Sequence, residues 1–201
     1  MIVPLVGDEG RDSAVAALRA GEAVVVPTDT LYGLAALPTV PGAVDRLFAL
    51  KGRPADMPIA VLVADLEQVE ALADLPDAAR RLAAAFWPGP LTMVLARRAG
   101  VDLPLGEPHE TIGVRWPAHP VIAALAADVG PLATTSANRT GEPTPEHAAD
   151  AAAALTGAVA VVIEGGRCAG SASTVVDLTG AALRVLREGA ITEAELRAAL
   201  G

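Results

Sequence analysis

The chain has 201 residues and carries 24 acidic against 15 basic side chains, a net charge of −9. That balance excludes a broad basic surface for wrapping nucleic acid, while leaving room for a local basic pocket. Cys168 is the single cysteine, so no intramolecular disulfide forms, which fits a reducing, cytoplasmic setting.

The opening "MIVPLVGDEGRD" has no basic region and only a short apolar run, so no secretory leader is expected. "DSAVAALRAGE" (12–22) reads as a helix, capped by Asp12 or Ser13 and ended by Gly21. The β-branched run 23–28 reads as a buried strand bounded by Pro27. "PTDTLYGL" (27–34) then runs into hydroxyls and a glycine turn. Residues 40–51 are predicted helical, with Val44, Leu47 and Phe48 on one stripe. A second buried strand is expected at 59–65, followed by helices in "LEQVEALAD" and "DAARRLAAAFW" and a strand at 91–98. The stretch 99–110 is the longest without periodicity and is a candidate lid.

"TIGVRWP" (111–117) alternates, with Ile112, Val114 and Trp116 on one face and Thr111, Gly113 and Arg115 on the other. "HPVIAALAADVG" follows as a helix and "PLATTS" as a strand leaving the core. A helix is predicted over 144–155, with Thr144 as its cap and Pro145 in its first turn. Strands are expected in "AVAVVIEGG", "STVVDL" and "ALRVLREG". The last helix, 192–200, has capping-box spacing at Thr192 and Glu195. Intermixed strands and helices, with no repeat, linker or break in composition, predict one α/β (α+β) domain over residues 1–201. No apolar run of about 18 residues predicts a membrane span.

Lys51 is the only lysine; the other fourteen basic residues are arginine. It lies at i+7 from Val44, so it continues the apolar stripe of its helix. Two readings follow: a cation placed favourably at a helix C-terminus, or a group reaching into a cleft beside the core. Arg53 on the Pro-rich turn makes the pair a candidate anion grip. Ser136 and Asn138 alternate on an extended exit from a strand, so both point one way, as nucleotide contacts or as ordinary turn residues. Arg115 offers a planar fork for a carboxylate or phosphate, or makes a surface ion pair. Arg187 and the hydroxyls of "SASTVVDL" stand at further strand ends, where α/β sheets collect ligands.

Several chemistries are excluded. There is no P-loop, no G-x-S-x-G elbow and no dinucleotide fingerprint in "GGRCAGSAS". His109, His119 and His147 lack metal-ligand spacing, so no protein-held metal is expected. The residues alone therefore indicate a cleft for a phosphorylated ligand, held without a P-loop.

The ordered set "PTDTLYGL … KGRP … WPGPLT … GVRWPAHP … TSANRTGEP … STVVD … LREGAI" resembles the threonylcarbamoyl-AMP synthase (YrdC-like) family, in its short single-domain form. The resemblance implies a twisted open mixed sheet flanked by helices, with a concave basic cleft. It implies condensation of L-threonine, bicarbonate and ATP into threonylcarbamoyl-adenylate and pyrophosphate, with Mg²⁺ carried by ATP. The product would pass to a tRNA threonylcarbamoyl transferase complex, so no strong nucleic-acid contact is expected of this chain. The K-x-R and S-x-N elements fall on Lys51, Arg53, Ser136 and Asn138 as ATP-binding residues, Lys51 and Arg53 also being catalytic. Arg187 is expected at the nucleotide, and Thr28, Arg115 and Ser173 at threonine or its carbamate. Many relatives carry a histidine in the strand after "KGRP"; this chain has "ADMPIAVLV" there. Two rival functions share the fold: an RNA- or ribosome-associated binding module, and a related carbamoyl-transfer domain.

Overall fold

The apolar runs pair into a ten-stranded sheet in a computed structural model that describes residues 1–4, 8–54, 56–168 and 170–201. In chain order the elements are β1 (Ile2–Pro4), α1 (Asp8–Arg19), β2 (Val24–Val26), β3 (Gly33–Ala36), α2 (Ala43–Lys51), β4 (Ala60–Leu62), α3 (Leu66–Leu72), α4 (Asp77–Phe86), β5 (Leu91–Ala96), β6 (Thr111–Arg115), α5 (Pro120–Val129), β7 (Leu132–Ser136), α6 (Ala148–Ala153), β8 (Val161–Glu164), β9 (Thr174–Asp177), β10 (Arg184–Arg187) and α7 (Glu193–Leu200). The strands lie in the order β1-β8-β2-β3-β7-β4-β6-β5-β9-β10. Parallel pairs (β1–β8, β2–β8, β4–β6, β5–β9) mix with antiparallel ones, so the expected open mixed α/β sheet is what forms.

The two faces of the sheet are covered unequally. One face, including Val25, Leu34, Val61, Met93, Ile112 and Val114, packs against Leu47 of α2, Leu82 of α4, Ala151 of α6 and Leu196 of α7. Each fully buried leucine there contributes about 1.5–3 kcal/mol relative to exposure. The other face, including Val24, Val26, Ala35, Leu62 and Leu132, is covered by Ala14 and Leu18 of α1 and by Ile122 and Leu125 of α5. That cover stops at β4. On the uncovered part of this face, Thr134 of β7, Ala60 of β4, Gly113 of β6 and Thr92 of β5 line a cleft.

Local structure departs from the sequence expectation in four places. Helix α1 begins at Asp8, so Asp12 and Ser13 lie inside it. β1 and β3 were not expected; β3 is "GLAA", whose small residues lack a β-branched signal, yet β2 and β7 pair with it on both sides. Helix α6 starts at Ala148, with His147 at its N-cap position, because Thr144 donates its hydroxyl to Asn138 Oδ1 instead of capping. The stretch 99–110 is aperiodic as expected, but Leu103 and Leu105 are buried and Leu105 O accepts from Ile59 N. The predicted capping box of α7 is present in full. Among the described residues no helix is long and apolar enough to cross a membrane.

Candidate active site

The cleft encloses about 1030 Å³, at the upper end of the range for small-molecule sites, which is room for two substrates. Its lining includes the cations Lys51, Arg53, Arg97, Arg115, Arg184 and Arg187 and the acids Glu142 and Asp177. All eight candidate residues from the sequence line it: Thr28, Lys51, Arg53, Arg115, Ser136, Asn138, Ser173 and Arg187.

Lys51 reaches the cleft because α2 ends there. Gly52 adopts a left-handed conformation (φ 59°), and the Gly52 and Arg53 amides close a Schellman turn on Ala49 O and Phe48 O. The lysine is 3% exposed. Its Nζ donates to Ser136 O (2.7 Å), Ser136 Oγ (3.2 Å), Asn138 O (2.9 Å) and Asn138 Oδ1 (2.9 Å). These acceptors are all neutral oxygens. Burial, and then the positive charge of Arg53, push the lysine pKa down to about 8.

Asn138 spends its side chain within the protein. Its Nδ2 donates to Arg139 O and Glu142 O, and its Oδ1 accepts from Lys51 and Thr144. It therefore shapes the 138–144 turn around Lys51. Arg53 donates to Met57 O and Pro58 O, bending its own turn toward the cleft.

The other end of the cleft is built on Arg115, which is 5% exposed. Its Nε donates to Gly89 O (3.0 Å), Nη1 to Thr30 Oγ1 (2.9 Å) and Nη2 to Asp29 Oδ1 (2.6 Å). Burial lowers its pKa, Asp29 raises it, and Arg187 nearby lowers it. A guanidinium stays charged through such shifts. Arg187 donates to Ser173 O and Ser173 Oγ, and Ser173 Oγ shares a 3.0 Å hydrogen bond with Thr92 Oγ1. Thr28 uses its hydroxyl at home: it donates to Leu31 O (2.6 Å) and accepts from the Thr30 and Leu31 amides.

Gly165, Gly166 and Gly170 of the glycine-rich stretch brace this end. Gly170 N donates to Thr30 O, and a Cβ on Gly170 would lie 2.7 Å from that oxygen. Tyr32 is fully buried; its hydroxyl donates to Gly166 O and accepts from Gly165 N, and burial pushes its pKa up to about 12. Cys168 is buried against Thr28 O and its thiol pKa is raised by burial, as suits a structural cysteine. The His119 pKa is lowered by burial, and its Nδ1 is buried without a hydrogen-bond partner among the described residues.

Residues 16–189 match the Sua5/YciO/YrdC family model, described as "Telomere recombination". The chain belongs to the Sua5/YciO/YrdC family. A relative in Mycobacterium tuberculosis is 44% identical over 191 residues, covering 94% of this chain and 88% of that protein. The Pyrococcus abyssi protein named threonylcarbamoyl-AMP synthase is 39% identical over 187 residues, 92% of this chain and 55% of its own length. The solved structure of P. abyssi Sua5 complexed with L-threonine superposes with a TM-score of 0.94 at 37% identity, covering 100% of this chain and 61% of that one. The present chain thus spans little more than half of the archaeal Sua5 protein. In this Sua5/YciO/YrdC chain, sequence reasoning missed Asp29, Thr30, Thr92 and Thr144. The first three contact residues at least 81 positions away, a pairing that no local pattern announces. Thr144 carries a signal, its turn chemistry, which fits a helix cap in the sequence and serves Asn138 in the fold.

Proposed function

We propose that the protein is an L-threonylcarbamoyladenylate synthase. The observation that carries this reading is Lys51: a buried ammonium whose partners are neutral oxygens, in a fold that superposes closely on that of P. abyssi Sua5 complexed with L-threonine. A buried cation without a protein counter-ion is costly unless a ligand brings the negative charge. Six cations against two acids on the lining, in a chain of net charge −9, support a polyphosphate as that ligand.

The chemistry proceeds in two steps. The neutral amine of threonine attacks the carbon of bicarbonate or its CO₂ equivalent, forming the N–C bond; with bicarbonate the amine proton leaves with the departing hydroxide as water, and with CO₂ it passes to solvent. A carbamate oxygen then attacks the α-phosphorus of ATP, and the bond to the bridging β-phosphate oxygen breaks to release pyrophosphate. The second step brings two anions together, so fixed cations are needed where charge accumulates. Lys51 acts as a point charge among phosphate oxygens, and Arg53 adds a planar fork. Ser136 and Asn138 hold Lys51 and the nucleotide-side turn, and Arg187 reaches the nucleotide from β10. Arg115 and Ser173 take the threonine carboxylate or carbamate, and Thr28 holds the turn beneath them. Among the described residues no group of three or more His, Cys, Asp or Glu gathers to hold a metal ion. Mg²⁺ would be carried by ATP, where it would neutralise phosphate charge. The product, a mixed anhydride of a carbamic acid and AMP, is suited to a downstream tRNA threonylcarbamoyl transferase complex.

The test is pyrophosphate release from ATP, Mg²⁺ and bicarbonate, with and without L-threonine. Release that requires both bicarbonate and threonine is expected. Release indifferent to them overturns the reading.

A further inference from the structure

Arg115 is the amino-acid grip in the synthase reading, and the geometry around it assigns a task to two residues of "PTDTLYGL" that have no role in that reading. Its guanidinium has five N–H groups. Both terminal nitrogens of the fork land on one dipeptide: Nη1 on Thr30 Oγ1 at 2.9 Å and Nη2 on Asp29 Oδ1 at 2.6 Å. Nε is fixed on Gly89 O. Three separate acceptors define the plane of the fork, and each terminal nitrogen keeps one hydrogen beyond those three bonds.

The dipeptide is itself rigidly mounted. Thr28 closes the turn through three bonds to residues 30 and 31, and Gly170 packs on Thr30 O from the other side. The hydroxyl arithmetic singles out Thr30. The one hydrogen of Thr28 is committed to Leu31 O at 2.6 Å, since a carbonyl cannot donate. In the 3.0 Å contact between the two hydroxyls, only Thr30 has a hydrogen to offer. Thr28 Oγ1 already accepts two backbone amides. Thr30 thus accepts from Arg115 while holding a hydrogen that can turn toward an anion in the cleft at small cost to Thr28.

We propose that Asp29 and Thr30 are the positioning residues of Arg115, aiming its fork at the carboxylate of the amino-acid substrate, with the Thr30 hydroxyl as an auxiliary donor. Asp29 has a second effect. Arg115 and Arg187 repel one another, and the Asp29 carboxylate offsets that repulsion before substrate arrives. The assignment rests on the synthase reading.

The experiment measures threonine-dependent pyrophosphate release by Asp29→Asn, Thr30→Val and Thr30→Ser beside the wild type, with KM for threonine, KM for ATP and Tm for each. The expected result is a rise of about tenfold or more in KM for threonine for Asp29→Asn, which removes the charge of the carboxylate that Arg115 Nη2 is paired with, and for Thr30→Val, which removes the acceptor of Nη1. KM for ATP should stay within twofold, and Thr30→Ser should behave as wild type because it keeps the acceptor. If Asp29→Asn fails to fold, the Val/Ser pair at position 30 decides. Threonine KM within twofold of wild type for Thr30→Val, or equal rises in both KM values, overturns the assignment while leaving the synthase reading intact. A wild type that ignores threonine overturns both.

Discussion

The two ends of the cleft each bury a cation, and they treat it in opposite ways. Lys51 is surrounded by four neutral oxygens. Arg115 is matched by Asp29 at 2.6 Å. The first arrangement keeps its charge in reserve and suits a ligand that brings several negative charges. The second is already near neutrality and suits a ligand that must be oriented more than it must be attracted. Burial lowers the pKa at both ends, but only at Arg115 does a carboxylate push it back up.

The strongest way to break this contrast is to replace Lys51. Lys51→Ala should lower kcat/KM by about a hundredfold or more, on the scale of losing one donor at developing charge. Lys51→Arg keeps the charge but cannot place a planar fork where four acceptors converge on one nitrogen, so a loss of about tenfold or more is expected. Steady-state pyrophosphate release checks both. Wild-type rates for Lys51→Arg would mean that charge alone matters at this end. Next comes Gly189→Ala: its Cβ would collide with Ala172 O and with the Ser173 carbonyl. Thermal and denaturant unfolding should show a loss of about 1–3 kcal/mol, the scale of overpacking, with the threonine end damaged more than the ATP end.

A pH series sharpens the contrast without mutation. With Lys51 at about 8, the folded chain binds fewer protons here than the unfolded chain between about pH 8 and the ordinary lysine value. Stability from this group therefore rises with pH across that window, and the cost of burying the charge is fully present below it. A phosphate ligand acts in the opposite sense, since it favours the ammonium. Affinity for a non-hydrolysable ATP analogue, followed by calorimetry, should fall as pH rises through about 8, with proton uptake on binding. Lys51→Arg should flatten that profile. The smallest effect is the control: Arg80→Ala breaks an exposed pair with Glu70 and should change stability by less than about 1 kcal/mol and activity not at all.

Much of the Lys51 end was legible because local periodicity encodes it. The i+7 position on α2 placed the lysine inward, and two-residue alternation placed Ser136 and Asn138 together. Both groups do meet at one nitrogen. The Arg115 end was legible only in part. Strand alternation put Arg115 on the cleft face, but Asp29 lies 86 residues away and reaches it only after β6 and the turn before β3 assemble. Thr28 fitted the family pattern, yet its hydroxyl is consumed by its own turn, and the neighbouring Thr30 is the one that touches Arg115. Short strands of small residues such as β3 carry too little β-branched character to stand out, and pairing on both sides supplies what their composition lacks.

Lys51 has one more consequence, as a reporter. It is the only lysine in the sequence, and it sits in the cleft with a pKa of about 8. Burial holds the amine below the ordinary lysine value, so a larger share of it is unprotonated than for an exposed lysine at the same pH. A small amine-directed reagent that enters the cleft meets a single lysine, so a mass increment on the Lys51 peptide, read apart from labelling of the exposed α-amine of Met1, would report whether the cleft is occupied. The scarcity of lysine elsewhere thus gives the molecule a built-in footprint of its own ligand site, readable without a spectroscopic label or an engineered residue.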